Sequence, residues 1–358
     1  MNGEQRSRAR IGIIGPGSIS AQYISTLRDH PEVEVAMLAS RDPQRAAFAA
    51  ARHGIRDSGS IEQLLGDDSI DLVVNLTPPD AHVDVSLAIL DAGKHVWSEK
   101  PVALDREGVD ALARLAAARD RRVGVAPDTF LGPGVDGALR LAHAGRVGAL
   151  TGAVAVMQKP GPESWHPNPA FLYRRGAGPL HDMGVYYLTA LVPFLGAVES
   201  VVGSTTLSHR PRVVATGPHA GARIEAEVPT AVRAVLRFAA GAEAAAYFTF
   251  DTVVSRAILT VEGERGEISV PDPDAFGGVI GVRSDDRSEQ IDAPAGRAGR
   301  GIGIVDLVRS VRAGVPHRAS LEVAAHVLEV MDAIVESAQT GRRTLVTSRP
   351  PTVTITRL

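Results

Sequence analysis

The stretch Arg10–Ser20, RIGIIGPGSIS, decides how this chain is read. It predicts a buried first strand, a tight glycine turn and the start of a helix. Ile11, Ile13 and Ile14 are β-branched, as a parallel strand covered on both faces requires. Gly15 suits a turn at positive φ, and Gly17, with no Cβ, lets a phosphate come close to the backbone. The N–H groups of Ser18 and Ile19, with the Ser18 hydroxyl, then face that phosphate at a helix N-terminus. Pro16 contributes no N–H and stiffens the turn. Ser20 stands where the dinucleotide fingerprint has Gly or Ala, and it is small enough to preserve close helix–strand packing.

Working outward, a chain of 358 residues predicts about two domains of roughly 150 residues each. Its 44% hydrophobic and 22% charged content is that of a globular protein with a sizeable core. A net charge of −3 without a long basic run argues against a nucleic-acid partner. The absence of cysteine excludes disulfides, thiolate catalysis and Cys-based metal sites, and fits a reducing cytoplasmic location. No membrane association is expected: Arg237 and Glu243 interrupt the most apolar run, Ala234–Phe250. Residues 1–9 read as a polar, disordered tail.

From Arg10 to Ala126, strands and helices alternate. The strands are Val33–Ala39, Asp71–Leu76, His95–Trp97 and Arg122–Ala126; the helices are Pro43–His53, Ile61–Leu65, Asp80–Ala92 and Asp105–Ala118. That alternation predicts parallel strands with right-handed crossovers, hence an α/β Rossmann domain over residues 10–128. Beyond it lie strand-like runs at 147–158, 198–207, 230–238, 243–250, 256–261 and 267–270. Helices are expected at 180–195, 303–313 and 321–340, with surface loops at 209–225 and 271–303. Residues 129–358 therefore read as an α+β domain with an open mixed or antiparallel sheet.

The end of the second strand bears on cofactor choice. An NAD site places an acidic residue about 20 residues beyond the glycines. Here Ser40 and Arg41 stand first, and both suit a 2′-phosphate, with Asp42 one step later as a helix cap. NADP(H) is favoured and NAD(H) remains an alternative. Three further motifs fall where a ligand of such a sheet binds. Asn75-Leu76-Thr77-Pro78-Pro79-Asp80-Ala81-His82 gives a rigid extended turn, with Thr77, Pro78 and His82 as cofactor-flanking candidates. Ser98-Glu99-Lys100-Pro101 adds Glu99 and Lys100 as cofactor-binding candidates and puts a lysine at the exit of a buried strand, where partial desolvation lowers its pKa and suits it to proton transfer. In Gly176-Ala177-Gly178-Pro179-Leu180-His181-Asp182-Met183-Gly184-Val185-Tyr186-Tyr187, helical spacing places Asp182, Tyr186 and Thr189 on a polar stripe. A carboxylate, a phenol and a lysine make a possible proton relay. Trp165, His166, Asn168 and Tyr173, in the loop before that helix, are candidate substrate contacts. No histidine spacing suggests a metal.

In this order the motifs resemble those of the glucose–fructose oxidoreductase/inositol dehydrogenase (Gfo/Idh/MocA) family. The resemblance extends into Glu227-Val228-Pro229-Thr230, Leu236–Gly241 and Phe250-Asp251, and so covers nearly the whole chain. It implies a Rossmann domain with a mixed-sheet C-terminal domain that serves oligomerisation, hence a homodimer or homotetramer. It also implies Lys100 as the active-site lysine beside the nicotinamide, a cis Lys100–Pro101 bond and Asp182 as the catalytic or substrate-binding carboxylate. Many members have histidine where Tyr186 stands, and one branch has tyrosine.

The expectation is an NAD(P)-dependent oxidoreductase moving hydride between nicotinamide and a sugar or polyol hydroxyl carbon, with Tyr186 exchanging the hydroxyl proton. An NAD-dependent glycosidase or lyase with transient oxidation, and a non-catalytic nucleotide or sugar sensor, are the alternatives.

Overall fold

In a computed structural model the alternation of the first third becomes a six-stranded, wholly parallel sheet. The structure describes residues 8–284 and 287–352; most of the predicted tail, residues 1–7, lies outside them. The chain runs β1 (Ala9–Ile14), α1 (Ser20–Arg28), β2 (Val33–Ala39), α2 (Pro43–Arg52), β3 (Asp57–Gly59) and α3 (Ile61–Leu65). It continues through β4 (Leu72–Asn75), α4 (His82–Asp91), β5 (His95–Ser98), α5 (Arg106–Arg119) and β6 (Val123–Val125). The strand order is β3-β2-β1-β4-β5-β6. It reverses between β1 and β4, and the C-terminal ends of these two strands frame the crevice where such sheets take ligands. Ile11, Ile13, Ile14, Val73, Val74 and Val96 are all buried, which accounts for the near-continuous apolar strands. Side chains start the helices: Asp42 accepts from Gln44 N at 3.0 Å, Asp105 from Gly108 N at 3.1 Å, and Ser60 forms a capping box with Gln63.

The chain then builds α6 (Pro133–His143), β7 (Leu150–Pro160), α7 (Val185–Leu195), β8 (Val198–Thr206), β9 (Arg212–Val213) and β10 (Arg223–Ile224). Next come β11 (Ala231–Phe238), β12 (Glu243–Thr249), β13 (Asp251–Gly263), β14 (Gly266–Val270), β15 (Gly278–Ser284) and β16 (Arg287–Ala293). Helices α8 (Ile302–Ala313) and α9 (Leu321–Thr340) and the short β17 (Thr344–Leu345) complete the described chain. The second sheet has nine strands in the order β16-β15-β14-β13-β7-β12-β11-β8-β17. Among the described residues only β7 and β12 pair in parallel within it, so the sheet is mixed and open. Along β11 the side chains of Ala234, Leu236 and Phe238 turn inward while Arg233, Val235 and Arg237 turn outward. Two helices lie close over the sheet. A Cβ at Gly184 would come within 2.9 Å of Phe248 on β12, and one at Gly203 on β8 would overlap Ile334 of α9.

The chain separates into two compact units, 1–131 with 296–324 and 132–295 with 325–358. The sequence alone places all of 129–358 in the second domain; segment 296–324, with α8, instead groups with the first. Val125 N donates to Ala319 O at 2.9 Å, Gly124 bridges Ser320, and a Cβ at Gly303 would overlap the ring of buried Trp97. The predicted loop 271–303 also contains the β15–β16 hairpin.

Candidate active site

At the glycine turn Gly15 has φ +96°, donates to Ala39 O at 3.0 Å, and has no room for a side chain: a Cβ would stand 2.6 Å from Leu76 O. Gly17 is exposed and a Cβ there would meet nothing within 4 Å, which leaves the open cradle a phosphate requires. Exposed Ser18 and half-buried Ile19 lead into α1. Ser20 is buried, and its hydroxyl donates to Gly17 O at 2.7 Å, closing the turn from inside. These groups fit a dinucleotide phosphate.

At the end of β2, Ser40 N donates to Gly59 O, and the Ser40 hydroxyl accepts from Asp42 N at 3.3 Å. The Asp42 carboxylate caps α2, while Arg41 is exposed and makes no ion pair among the described residues.

The Asn75–His82 turn is held from within. Asn75 Nδ2 donates to His82 O and Ser86 Oγ, each at 3.0 Å, and its Oδ1 accepts from Thr77 N and Oγ1 at 3.2 and 2.6 Å. His82 is 1% exposed, with Nδ1 2.7 Å from Pro101 O and Nε2 2.8 Å from Thr77 O. This imidazole therefore ties the Thr77-Pro78 turn to the turn carrying Lys100. The Lys100–Pro101 peptide is cis.

Glu99 is likewise anchored inside the first unit. Its Oε1 accepts from Tyr23 OH at 2.8 Å, its Oε2 accepts from Lys100 N at 3.0 Å, and Trp97 Nε1 donates to Tyr23 OH at 3.2 Å. Beyond β6, fully buried Asp128 accepts from Gly301 N and Gly303 N at 2.8 and 2.9 Å, while its Oδ1 has no partner. Burial raises its pKa to about 6. No sequence motif singles out Tyr23 or Asp128. Tyr23 sits on an apolar helix stripe; a carboxylate just past a strand end was the available signal for Asp128.

In the second unit the Asp182 segment departs from a plain α-helix. Residues Pro179–Gly184 form a π-helical turn, entered through Gly178 at φ +77°, and α7 starts at Val185. The wider turn means the α-helical register that placed Asp182 and Tyr186 on one stripe does not apply. Every residue of α7 is buried, Tyr186 and Thr189 included. A helix apolar nearly all round belongs inside a fold, and π turns are frequent at functional sites. Asp182 is half-buried at the turn.

The preceding loop divides its four candidates. Trp165 is 65% exposed, Asn168 is exposed, and half-buried His166 packs edge-on against Trp165 and Phe171. Asn168 N donates to His166 Nδ1 at 3.0 Å. Tyr173 is 0% exposed and so does not line an open pocket. Its hydroxyl donates to Glu163 and accepts from Arg212 Nη1 at 2.8 Å. Arg212, itself 1% exposed, also bonds Glu163 at 3.0 Å and Asp251, locking the loop base.

A dinucleotide-binding oxidoreductase is the class these features fit: an open glycine turn at the switch point of a parallel sheet, a strand-end lysine, and a second unit with a mixed sheet. Comparison with known proteins agrees. Residues 9–126 match the family described as "Oxidoreductase family, NAD-binding Rossmann fold", and residues 137–269 match the "GFO/IDH/MocA C-terminal domain". The chain belongs to the Gfo/Idh/MocA oxidoreductase family. It is 32% identical over 218 residues to dTDP-3,4-didehydro-2,6-dideoxy-alpha-D-glucose 3-reductase of Streptomyces antibioticus, covering 59% of this chain and 64% of that one. It is 28% identical to D-xylose 1-dehydrogenase (NADP(+)) 2 of Haloferax volcanii, over 92% of this chain and 97% of that one. The chain spans about half to two thirds of the length of the first curated relatives it matches. Its fold resembles that of levoglucosan dehydrogenase in complex with NADH and L-sorbose, with TM-score 0.81, 20% identity, and 95% and 99% of the two chains covered. Among the described residues no helix is long and apolar enough to cross a membrane.

Proposed function

We propose that this protein is an NADP(H)-preferring oxidoreductase acting on a carbinol carbon of a sugar or polyol. Its place in a family whose relatives include a dTDP-sugar 3-reductase and a D-xylose 1-dehydrogenase supports the reaction class. The cofactor preference rests on Arg41, exposed at the end of β2 while the neighbouring Asp42 carboxylate caps α2. When bound, the nicotinamide supplies or takes the hydride. The backbone of Gly15–Ile19 receives the phosphates, and Ser40 and Arg41 receive the 2′-phosphate. The turn at Thr77-Pro78 flanks the cofactor, held in place by buried His82 rather than through a contact of His82 itself. Glu99 acts as an internal brace that holds the Lys100 backbone. Lys100 and Asp182 orient the reacting hydroxyl, and Tyr186 exchanges its proton. Trp165 offers an aromatic face to the C–H side of a ring, and His166 and Asn168 offer polar groups. The open mixed sheet supports a homodimer or homotetramer, and the cysteine-free composition supports a cytoplasmic location.

The test is a sugar and polyol screen with NADP(+) and NADPH, followed by Lys100→Met. Turnover with a sugar, lost by at least about a hundredfold in the variant with fold intact, supports the reading. Undiminished turnover in the folded variant removes Lys100 from it.

A further inference from the structure

Segment 297–301 runs along the flank of α1 in the opposite direction to the helix. Arg297 Nη1 donates to Asp29 O at 3.2 Å, and Arg297 O lies 3.4 Å from His30 Nε2, past the C-terminal end of α1. A Cβ at Gly299 would overlap Thr26 Oγ1, and one at Gly301 would come 3.2 Å from the Tyr23 ring. At the N-terminal end of the helix, Arg300 Nε donates to Gln22 Oε1 at 3.2 Å.

Gln22 follows Ser18 by four residues, and Gln22 N donates to Ile19 O at 3.0 Å. Gln22 therefore belongs to the first turn of α1, the turn that follows the residues set to receive a phosphate. The segment is fixed from the other side as well, because Asp128 binds Gly301 N and Gly303 N. Arg300 thus stands between two anchors, its guanidinium bonded to Gln22 in the first turn of α1.

We propose that Arg300 is a phosphate-binding residue of the dinucleotide site, supplying a fixed cation to the pyrophosphate. The proposal rests on the reading that the Gly15–Ile19 turn holds NADP(H) or NAD(H). A glycine turn offers N–H donors and about half a positive charge from the helix, whereas a pyrophosphate carries two negative charges. An arginine fork matches two phosphate oxygens, and one already held by Gln22 loses little freedom on binding. The pyrophosphate is common to both cofactors, so Arg300 acts on both, unlike Arg41.

Calorimetric titration of wild type, Arg300→Met, Arg300→Lys and Gln22→Leu with NADPH and with NADH tests this, with thermal melts as a fold control. In Arg300→Met both affinities fall by similar factors, about tenfold or more, and binding becomes less sensitive to salt. Arg300→Lys recovers part of the loss, and Gln22→Leu, which keeps the cation, stays within about threefold of wild type. The proposal is overturned if Arg300→Met binds both nucleotides within about twofold of wild type. It is also overturned if Gln22→Leu loses as much as Arg300→Met, since the arginine is then only a structural partner. Failure of wild type to bind either nucleotide would instead reject the underlying cofactor reading.

Discussion

The Tyr23 hydroxyl donates to Glu99 Oε1 at 2.8 Å and accepts from Trp97 Nε1 at 3.2 Å, so a residue of α1 fixes the turn that carries Lys100. Burial first, then the neighbouring Glu99 and Asp128 charges, holds the Tyr23 pKa well above its ordinary value, and the phenol remains a donor. Tyr23→Phe leaves a buried indole N–H and a carboxylate oxygen without partners. The expected cost is about 1–3 kcal/mol, read as a lower urea midpoint at unchanged slope.

Asp128 makes stability depend on pH. Its folded pKa of about 6 lies above the ordinary 3.8, so its contribution is fully present below about pH 4 and is lost as pH rises through 6. A rise from 3.8 to about 6 corresponds to roughly 3 kcal/mol at most. Asp128→Asn cannot ionise. Its stability relative to wild type should therefore improve as pH goes from 4 to 7, by about 1–3 kcal/mol in parallel urea unfolding.

Two histidines act in the opposite sense. Burial, followed by the nearby Arg121 and Arg122 for His95 and by Arg349 for His326, lowers both to about 4. His326 Nε2 accepts from Val198 N at 3.0 Å, which fixes the neutral ring. The unfolded chain takes up these protons below about 6.5, so stability is intact above that pH and is lost as pH falls toward 4. His326→Gln keeps an acceptor and a donor without titrating, and its stability should fall less steeply between pH 6.5 and 4 than that of wild type.

Arg212 neutralises Glu163 and Asp251 inside the second unit. Arg212→Met removes the buried cation between them, leaving Glu163 to Tyr173 and the more exposed Arg210 and Asp251 to Thr230, and should cost about 3 kcal/mol in chemical unfolding. Adding Glu163→Gln and Asp251→Asn should restore much of that loss.

What the sequence disclosed follows from how local each signal is. The Ile11–Ile14 run, the Gly15–Gly17 turn and the Asp42 and Asp105 caps depend on neighbours a few residues away, and all appear as read. The strands of the second sheet, such as Ala231–Phe238, show clean alternation and were equally legible. Helix α6 starts after Gly132, which offers no capping side chain, so the sequence carries no side-chain cap signal for it. The polar strand β16, RSEQIDA, has little apolar alternation because it is an exposed sheet edge. The π turn at 179–184 defeats a reading built on a 3.6-residue period. Tyr173, placed in the substrate loop by position, faces inward because Arg212, nearly 40 residues on, claims its hydroxyl. The 296–324 return and Arg300 depend on contacts across long stretches of chain, 173 residues between Asp128 and Gly301 and 278 between Gln22 and Arg300, which no local pattern encodes.

The cofactor preference turns on whether the β2 end of this site takes a 2′-phosphate. Titrating the cofactor-free protein with NADPH and with NADH in one buffer answers that directly. A 2′-phosphate site at Ser40 and Arg41 predicts NADPH binding at least tenfold tighter, about 1.4 kcal/mol, with the preference lost in Arg41→Ala. Equal or tighter binding of NADH by wild type would contradict it.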